Sequence, residues 1–281
     1  MGAALRIAYF IMAHRNAEQL DALIGLVSNP ADTILVHVDA KADASVHDVV
    51  RRRLGQSNLR ILPSRGMSWG GWSLAQALLD AFCDLCTEQL DWDYLINLSG
   101  QDMPLRSASE LRDFLSRHNG ANFIDCRLIA DLPQPLRGVV KRRYQWLRIE
   151  LARGPQRLPV PMAPIHRGRV KYYGSQWGML SRAFCDWAAK ASPREAGYAT
   201  LPMTFAPDEL VMQQMIMASS FRDTLVNDNK RFLNFGGTAH PRVLRLADLD
   251  EMDDSGALFA RKFDPAVDPD VIAALSARFA G

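Results

Sequence analysis

The chain has 281 residues, 48% of them hydrophobic and 23% charged. That suits one large α/β domain or two small ones. A net charge of +2 and a pI near 8.4 argue against a nucleic-acid-binding protein, and no apolar run approaches the length of a membrane span. From the N-terminus, Arg6 to Met12 reads as a strand. Asn16 then caps a helix whose Leu20, Leu23, Ile24 and Val27 recur at helical spacing, and Asn29-Pro30 ends it. Ile34 to Val38 is a second strand closing on Asp39. A polar helix covers Ser45 to Leu54, and Leu59 to Leu62 is a third strand. A loop rich in Gly and Trp (Gly66 to Trp72) precedes a long helix, Ser73 to Gln89.

The most informative run follows. Tyr94 to Leu98 is a short apolar strand that breaks into Ser99-Gly100-Gln101-Asp102, and Pro104 forbids a simple return to strand. Ser107, with Glu110 three residues on, forms a capping box that opens the next helix. In open α/β sheets ligands bind at the carboxyl ends of strands, so Gly100, Gln101 and Asp102 are expected to floor a site. Another strand, Asn122 to Cys126, completes a βα alternation that argues for a mostly parallel sheet covered by helices on both faces.

The rhythm fails between Arg127 and Lys171. This stretch holds Pro133, Pro135, Pro155, Pro159, Pro161 and Pro164, and it carries ten basic residues from Arg137 to Lys171. It reads either as a solvated, mobile connection or as an electropositive wall over an anionic ligand, with membrane-surface contact through 137–171 a further expectation. Aromatic interleaving (Tyr144, Trp146) would suit single-stranded nucleic acid, but no nucleic-acid motif appears. Beyond it, Tyr172 to Ser181 looks like one strand, Arg182 to Lys190 like a helix, and Phe205-Ala-Pro-Asp-Glu209 opens a helix running to about Ala218. A strand at Phe232 to Phe235 leads to Gly236-Gly237 and His240-Pro-Arg242, and a terminal helix follows Asp264.

The four cysteines (Cys83, Cys86, Cys126 and Cys185) are too few for a disulfide scaffold. The C-x-x-C spacing of Cys83 and Cys86 falls inside a helix, so core thiols in a reducing, cytoplasmic setting are expected. The run Met1 to Met12 lacks a cleavage site, and Arg6 breaks the myristoylation pattern. After the first strand stands Ala13-His14-Arg15 in place of G-x-G-x-x-G. There is no Walker A lysine, no G-x-S-x-G and no H-E-x-x-H. Polar strand ends (His14, Asp39, Asp102), an acidic helix start and late basic residues fit a nucleotide-sugar transferase with a mixed sheet.

Several blocks then carry a resemblance: Ile7 to His14, His37-Val-Asp-Ala-Lys41, Ser68 to Ser73 with its paired Trp, and Tyr94 to Asp102. Tyr173-Gly-Ser-Gln-Trp177, Pro207-Asp-Glu209 and Phe259 to Asp264 continue it. Their order and spacing, from Arg6 to Asp264, make the chain similar to the core-2/I-branching β-1,6-N-acetylglucosaminyltransferase and peptide O-xylosyltransferase family. The resemblance implies a single domain of GT-A type (Rossmann-like) over 1–281: a nucleotide-binding half (1–126), the basic loop region (127–171) and an acceptor and catalytic half (172–281). It also implies a UDP-sugar donor as co-substrate, inversion at the anomeric carbon, and no cofactor or metal. Glu209 is then the base toward an acceptor hydroxyl, although an acid at a helix start also balances the macrodipole. By position in their blocks, Arg242 and Lys262 hold the diphosphate, Asp39 contacts the uridine and Ala13-His14 line the same edge. The alternative for Asp39 is a turn acid before Lys41.

Gln101 and Asp102 face the donor sugar or the acceptor on this reading, or Asp102 caps its own loop. Trp69, Trp72 and Trp177 are candidates to stack on sugar rings, with Ser175 beside the last, although Trp is more often core. Among the family's acceptor residues the match fades beyond Lys141 to Tyr144, which leaves Arg143 and Tyr144 as acceptor candidates. Two rival readings remain open. One is a metal-dependent transferase using Asp91 and Asp93, or Asp102, although Asp91-Trp-Asp93 precedes its strand at the amino end. The other is a UDP-sugar or glycan-binding module without turnover. The expected setting is cytoplasmic, peripheral at the inner membrane surface, with a glycan or other hydroxyl-bearing acceptor.

Overall fold

A computed structural model describes residues 5–88, 90–237 and 240–279. Positions 1–4 of the run Met1 to Met12, on which the signal reading rests, and Gln89, the expected last residue of the long helix, lie outside the described residues. The order begins β1 (Ile7–Ala13), α1 (Ala17–Val27), β2 (Thr33–Val38), α2 (Ala44–Arg52), β3 (Leu59–Ile61), α3 (Trp72–Thr87), β4 (Tyr94–Ser99), β5 (Asp102–Pro104) and α4 (Ala108–Arg117). It continues β6 (Asn122–Ile124), β7 (Arg127–Leu128), α5 (Leu136–Arg142), β8 (Trp146–Leu151), β9 (Gly154–Pro161), α6 (Ala163–His166), β10 (Tyr172–Tyr173), β11 (Gly178–Ser181) and α7 (Arg182–Lys190). It closes with α8 (Val211–Ala218), β12 (Leu225–Val226), β13 (Arg231–Leu233), α9 (Leu249–Asp254), β14 (Phe259–Arg261) and α10 (Pro269–Phe279).

The expected α/β class holds, and contacts gather the chain into two compact units: 1–64 with 91–119 and 230–281, and 65–90 with 120–229. In the first unit β3, β2, β1 and β4 run parallel in that order. Every residue of β1, β2 and β4 is buried, as a sheet covered on both faces requires. A second sheet sets β14 between β13 and β5, pairing Arg261 with Asp102. An apolar cluster around Met103, Leu244, Phe263, Val271 and Leu275 packs this end. In the second unit β6 pairs antiparallel with β11 and parallel with β12, and β7 pairs with β10.

Four local expectations need correction. Asn16 stands at the α1 N-cap position but sits in the left-handed region (φ 59°) with no capping bond from its side chain; its carbonyl accepts Leu20 N–H at 3.0 Å, while its Oδ1 accepts from Arg15 Nε at 3.4 Å. Tyr172 to Ser181 is two strands, because Gly174 interrupts it. A Cβ there would lie 1.7 Å from the Asp125 carbonyl oxygen. Pro207–Glu209 is a separate 3-10 turn ahead of α8. The 127–171 stretch, expected to be an irregular connection, contains the antiparallel β8–β9 ribbon. Both strands of a ribbon are edges, so the prolines of β9 are tolerated there. The Ser107–Glu110 capping box forms as read.

Candidate active site

In the first unit, the carboxyl ends of β1, β2 and β4 are tied edge to edge. Asp39 N–H donates to the Ala13 carbonyl at 2.8 Å, and Gly100 N–H donates to the Met12 carbonyl at 2.9 Å. Ala13 and Asp39 are buried and His14 is exposed at this rim. Partial desolvation of the ring by the surrounding protein, and then the Arg15 charge, hold the His14 imidazole below its usual pKa although the residue is exposed, with Asp39 opposing and Arg261 adding to the shift. Asp39 Oδ1 accepts Lys41 N–H at 2.9 Å, so it serves as the turn acid. Arg15 pairs with Asp264. Gln101 is buried. It spans to the segment just past β14 by donating from Nε2 to the Phe263 carbonyl at 3.2 Å and accepting Phe263 N–H at 3.0 Å on its backbone carbonyl.

Asp102 has no exposed surface. It accepts Ser99 N–H at 3.0 Å, Arg231 Nη1 at 3.0 Å and Arg261 Nη1 at 3.2 Å. Of its two readings, the geometry matches the loop cap; a sugar or a metal would have to displace two guanidinium groups. Arg231, fully buried, is pushed down to about 10 by burial, against the pull of Asp102. Asp91 and Asp93 sit at the amino end of β4, where both are engaged with Arg6: Asp93 accepts Arg6 N–H at 2.8 Å and Asp91 pairs with the Arg6 guanidinium at 2.9 Å. Arg242 donates twice to Asp248, at 2.8 and 2.5 Å. Lys262 is half-buried beside Arg261, and its carbonyl accepts Leu244 N–H at 2.9 Å.

In the second unit the Pro207–Glu209 turn is fixed from both sides. Phe205 N–H donates to the Arg143 carbonyl at 2.9 Å, and Ala206 N–H donates to the Gly70 carbonyl at 2.8 Å. Ala206 is held at φ 50°, a strained value for a residue with a Cβ and of the kind that clusters at functional sites. Glu209 follows, its side chain 32% exposed, with Oε2 2.5 Å from Arg143 Nη1. Its carbonyl accepts Gly174 N–H at 3.0 Å, which binds the turn to the Tyr173-Gly-Ser block.

The Arg143 guanidinium lies 5.2 Å from the Tyr173 ring centroid, and Arg127 lies at the same distance. Burial works against the charge on Arg143, but the Glu209 carboxylate outweighs it and holds the guanidinium above its usual pKa. Burial, and then the charge of Glu209, push the Tyr173 phenol up to about 12. Asp208 is buried with Oδ1 unpartnered. Burial first, and Glu209 second, raise its carboxyl to about 7. Gln213 Nε2 ties the floor together, donating to the carbonyls of Asp125 (3.0 Å) and Ser175 (2.7 Å).

The second unit therefore brings together Glu209, Arg143 and the Ser175 segment, and adds Tyr173, Asp125 and Asp208, which composition alone did not single out as a set. The signal for Tyr173 was its place at the head of a Gly-containing block. Other candidates lie apart in role. Trp177 is core. Trp72 opens α3, donating from Nε1 to Gln76 at 2.9 Å, with its ring stacked on Tyr198 at 5.9 Å. Tyr144 sets its ring against His166. Trp69 is the exposed indole of the group, edge-on to Phe205 at 5.3 Å.

A family model for the core-2/I-branching enzymes matches residues 7–254. The chain belongs to that family. The match takes in Asp39, Asp102, Arg143, Glu209 and Arg242 and stops short of Lys262. The chain is similar to a xylosyltransferase of Ciona intestinalis, at 26% identity over 95% of this chain and 33% of that protein. It is also similar to human xylosyltransferase 2, at 30% identity over 83% of this chain and 27% of that protein. A mouse N-acetyllactosaminide β-1,6-N-acetylglucosaminyl-transferase is 29% identical over 72% of this chain and 50% of its own length. The chain thus spans about a third or less of those two xylosyltransferases and about half of the mouse enzyme.

Proposed function

We propose that this chain is an inverting glycosyltransferase that moves N-acetylglucosamine or xylose from a UDP-sugar to a hydroxyl of a glycan or other acceptor, with no divalent metal. The observation that carries the reading is the Glu209 carboxylate, partly exposed and gripped by Arg143 on a strained, doubly pinned turn. The names of the similar proteins support the two sugars. Glu209 takes the acceptor proton while the acceptor oxygen bonds to the anomeric carbon. The bond from that carbon to the diphosphate breaks, and its electron pair leaves on UDP. Arg143, stacked on Tyr173, fixes the direction in which Glu209 faces.

The departing charge needs cations. Arg242 spends two of its five N–H donors on Asp248 and keeps three for phosphate oxygens, and Lys262 adds a point charge. Ala13, His14 and Asp39 are the nucleoside candidates. The engagement of Asp91 and Asp93 with Arg6, and of Asp102 with two arginines, supports the metal-independent reading over the rival one.

The test is transfer from UDP-N-acetylglucosamine, UDP-xylose and UDP-glucose with and without excess chelator. One of the first two should serve as donor at a rate the chelator leaves unchanged. Loss of turnover in chelator would remove the metal-independent reading. UDP-sugar binding without turnover, unaltered by Glu209→Gln, would make the chain a binding module.

A further inference from the structure

The β8–β9 ribbon has two unlike faces. On β8 the side chains alternate, and Arg148 and Glu150 face the protein. Glu150 accepts the Ser73 hydroxyl at 2.5 Å and Ser73 N–H at 2.8 Å, and the Arg148 guanidinium lies 5.2 Å over the Phe205 ring. Ile149 and Leu151 therefore point the other way. They are 43% and 55% exposed, and Val160 on β9 is 45% exposed. These aliphatic side chains stand in water on a rigid ribbon instead of joining a core.

The charge around them is of one sign. From Arg137 to Lys171 the sole acid is Glu150, and it is bonded inward. Arg153 at the hairpin turn, Arg157, Arg167 and Arg169 are exposed. Arg157 stands directly opposite Arg148 in the ladder and so shares its protein-facing side, where its guanidinium lies 5.2 Å from the Trp146 ring centroid.

We propose that this ribbon docks the protein on an anionic lipid bilayer. Ile149, Leu151 and Val160 enter the boundary between headgroups and acyl chains, while Arg153, Arg167 and Arg169 lie against the headgroups. A soluble polyanion would satisfy the arginines and leave the aliphatic face in water. A neutral apolar partner would do the reverse. An anionic bilayer supplies both, and the two contributions together give stable attachment where either alone is weak.

The experiment is flotation of the full chain with vesicles of phosphatidylcholine alone and of phosphatidylcholine mixed with phosphatidylglycerol. Binding should be at least about tenfold stronger to the anionic vesicles and should weaken as salt rises. Ile149→Ser combined with Leu151→Ser should cut that binding about tenfold, as should Arg153→Glu combined with Arg167→Glu. The melting temperature checks that each double variant stays folded. Equal partition between the two vesicle types would overturn the proposal. So would full retention on anionic vesicles by the folded aliphatic variant, since the cations alone would then be adsorbing to a charged surface as they would to any polyanion. Neither outcome depends on whether the chain transfers sugar.

Discussion

Each compact unit sets a carboxylate against arginine, and the two carboxylates are built for opposite ends. Asp102 has 0% exposure and is held by two arginines and a backbone N–H. Glu209 has 32% of its side chain open to solvent and is held by Arg143 and by a hydrogen bond from the Tyr173 hydroxyl. A carboxylate saturated on both oxygens inside a core fixes strands and loops; the Ser99–Asp102 turn and β14 are positioned by it. A carboxylate left accessible and aimed by a stacked guanidinium and a tyrosine hydroxyl can exchange a proton with something outside. Burial and the number of partners separate the two roles, where residue type does not.

The strongest way to sharpen the contrast is Glu209→Gln. It should lower kcat by about 10²- to 10⁴-fold while UDP affinity and melting temperature hold, as measured by steady-state kinetics, calorimetry and thermal denaturation. Asp102→Asn should do the reverse. It leaves Arg231 buried without its counter-charge, so urea denaturation should show a loss of about 3–5 kcal/mol. If the Asp102→Asn protein were instead as stable as the parent and its kcat collapsed, the contrast would break and Asp102 would belong to the chemistry.

Asp208 tests the neighbourhood of Glu209 through pH. Its carboxyl titrates near 7 in the folded chain against an ordinary 3.8. Between those values the folded state keeps a proton that the unfolded state has released. The contribution of this group to stability is therefore fullest below about pH 4, declines as pH rises, and levels off above about 7. Asp208→Asn removes the titration, so the variant should gain on the parent across that window by up to about 4 kcal/mol, read from denaturation midpoints at several pH values. A flat difference from pH 4 to 8 would mean that Asp208 is ionised beside Glu209, and the account of a buried, proton-keeping neighbour would fail.

How much of this was legible in the sequence follows the reach of each signal. β1, α1, β2, α3 and β4 fall within a residue or two of their expected ends, because hydrophobic periodicity is local. The capping box is equally local, and Ser107 and Glu110 bond as read. The ribbon was hidden because Pro155, Pro159 and Pro161 argue against a strand, and only pairing with β8 makes them acceptable edges. The fate of Asp102 was hidden because Arg231 and Arg261 lie 129 and 159 residues away. Glu209 and Arg143 were both named from blocks of resemblance, yet nothing in either block announces that they pair across 66 residues. Gly66 to Trp72 offered three kinds of clue at once, and the structure separates them: Trp69 is exposed, Gly70 packs under Phe205, and Trp72 starts a helix.

Arg242 gives the smallest predicted effect and sits between the two extremes. Its guanidinium is bound twice to Asp248, as a structural arginine would be, yet it lies near the surface, as a ligand-binding one would. Surface ion pairs contribute little to stability, so Arg242→Ala should leave the melting temperature almost unchanged. If the side chain takes phosphate oxygens, the Kd for UDP should rise about tenfold, a change of about 1.4 kcal/mol, and Arg242→Lys should recover only part of it because the fork is lost. Calorimetric titration of UDP into the parent and the two variants separates the cases. An unchanged Kd in Arg242→Ala would assign this arginine to the same structural class as those around Asp102 and leave the diphosphate to Lys262.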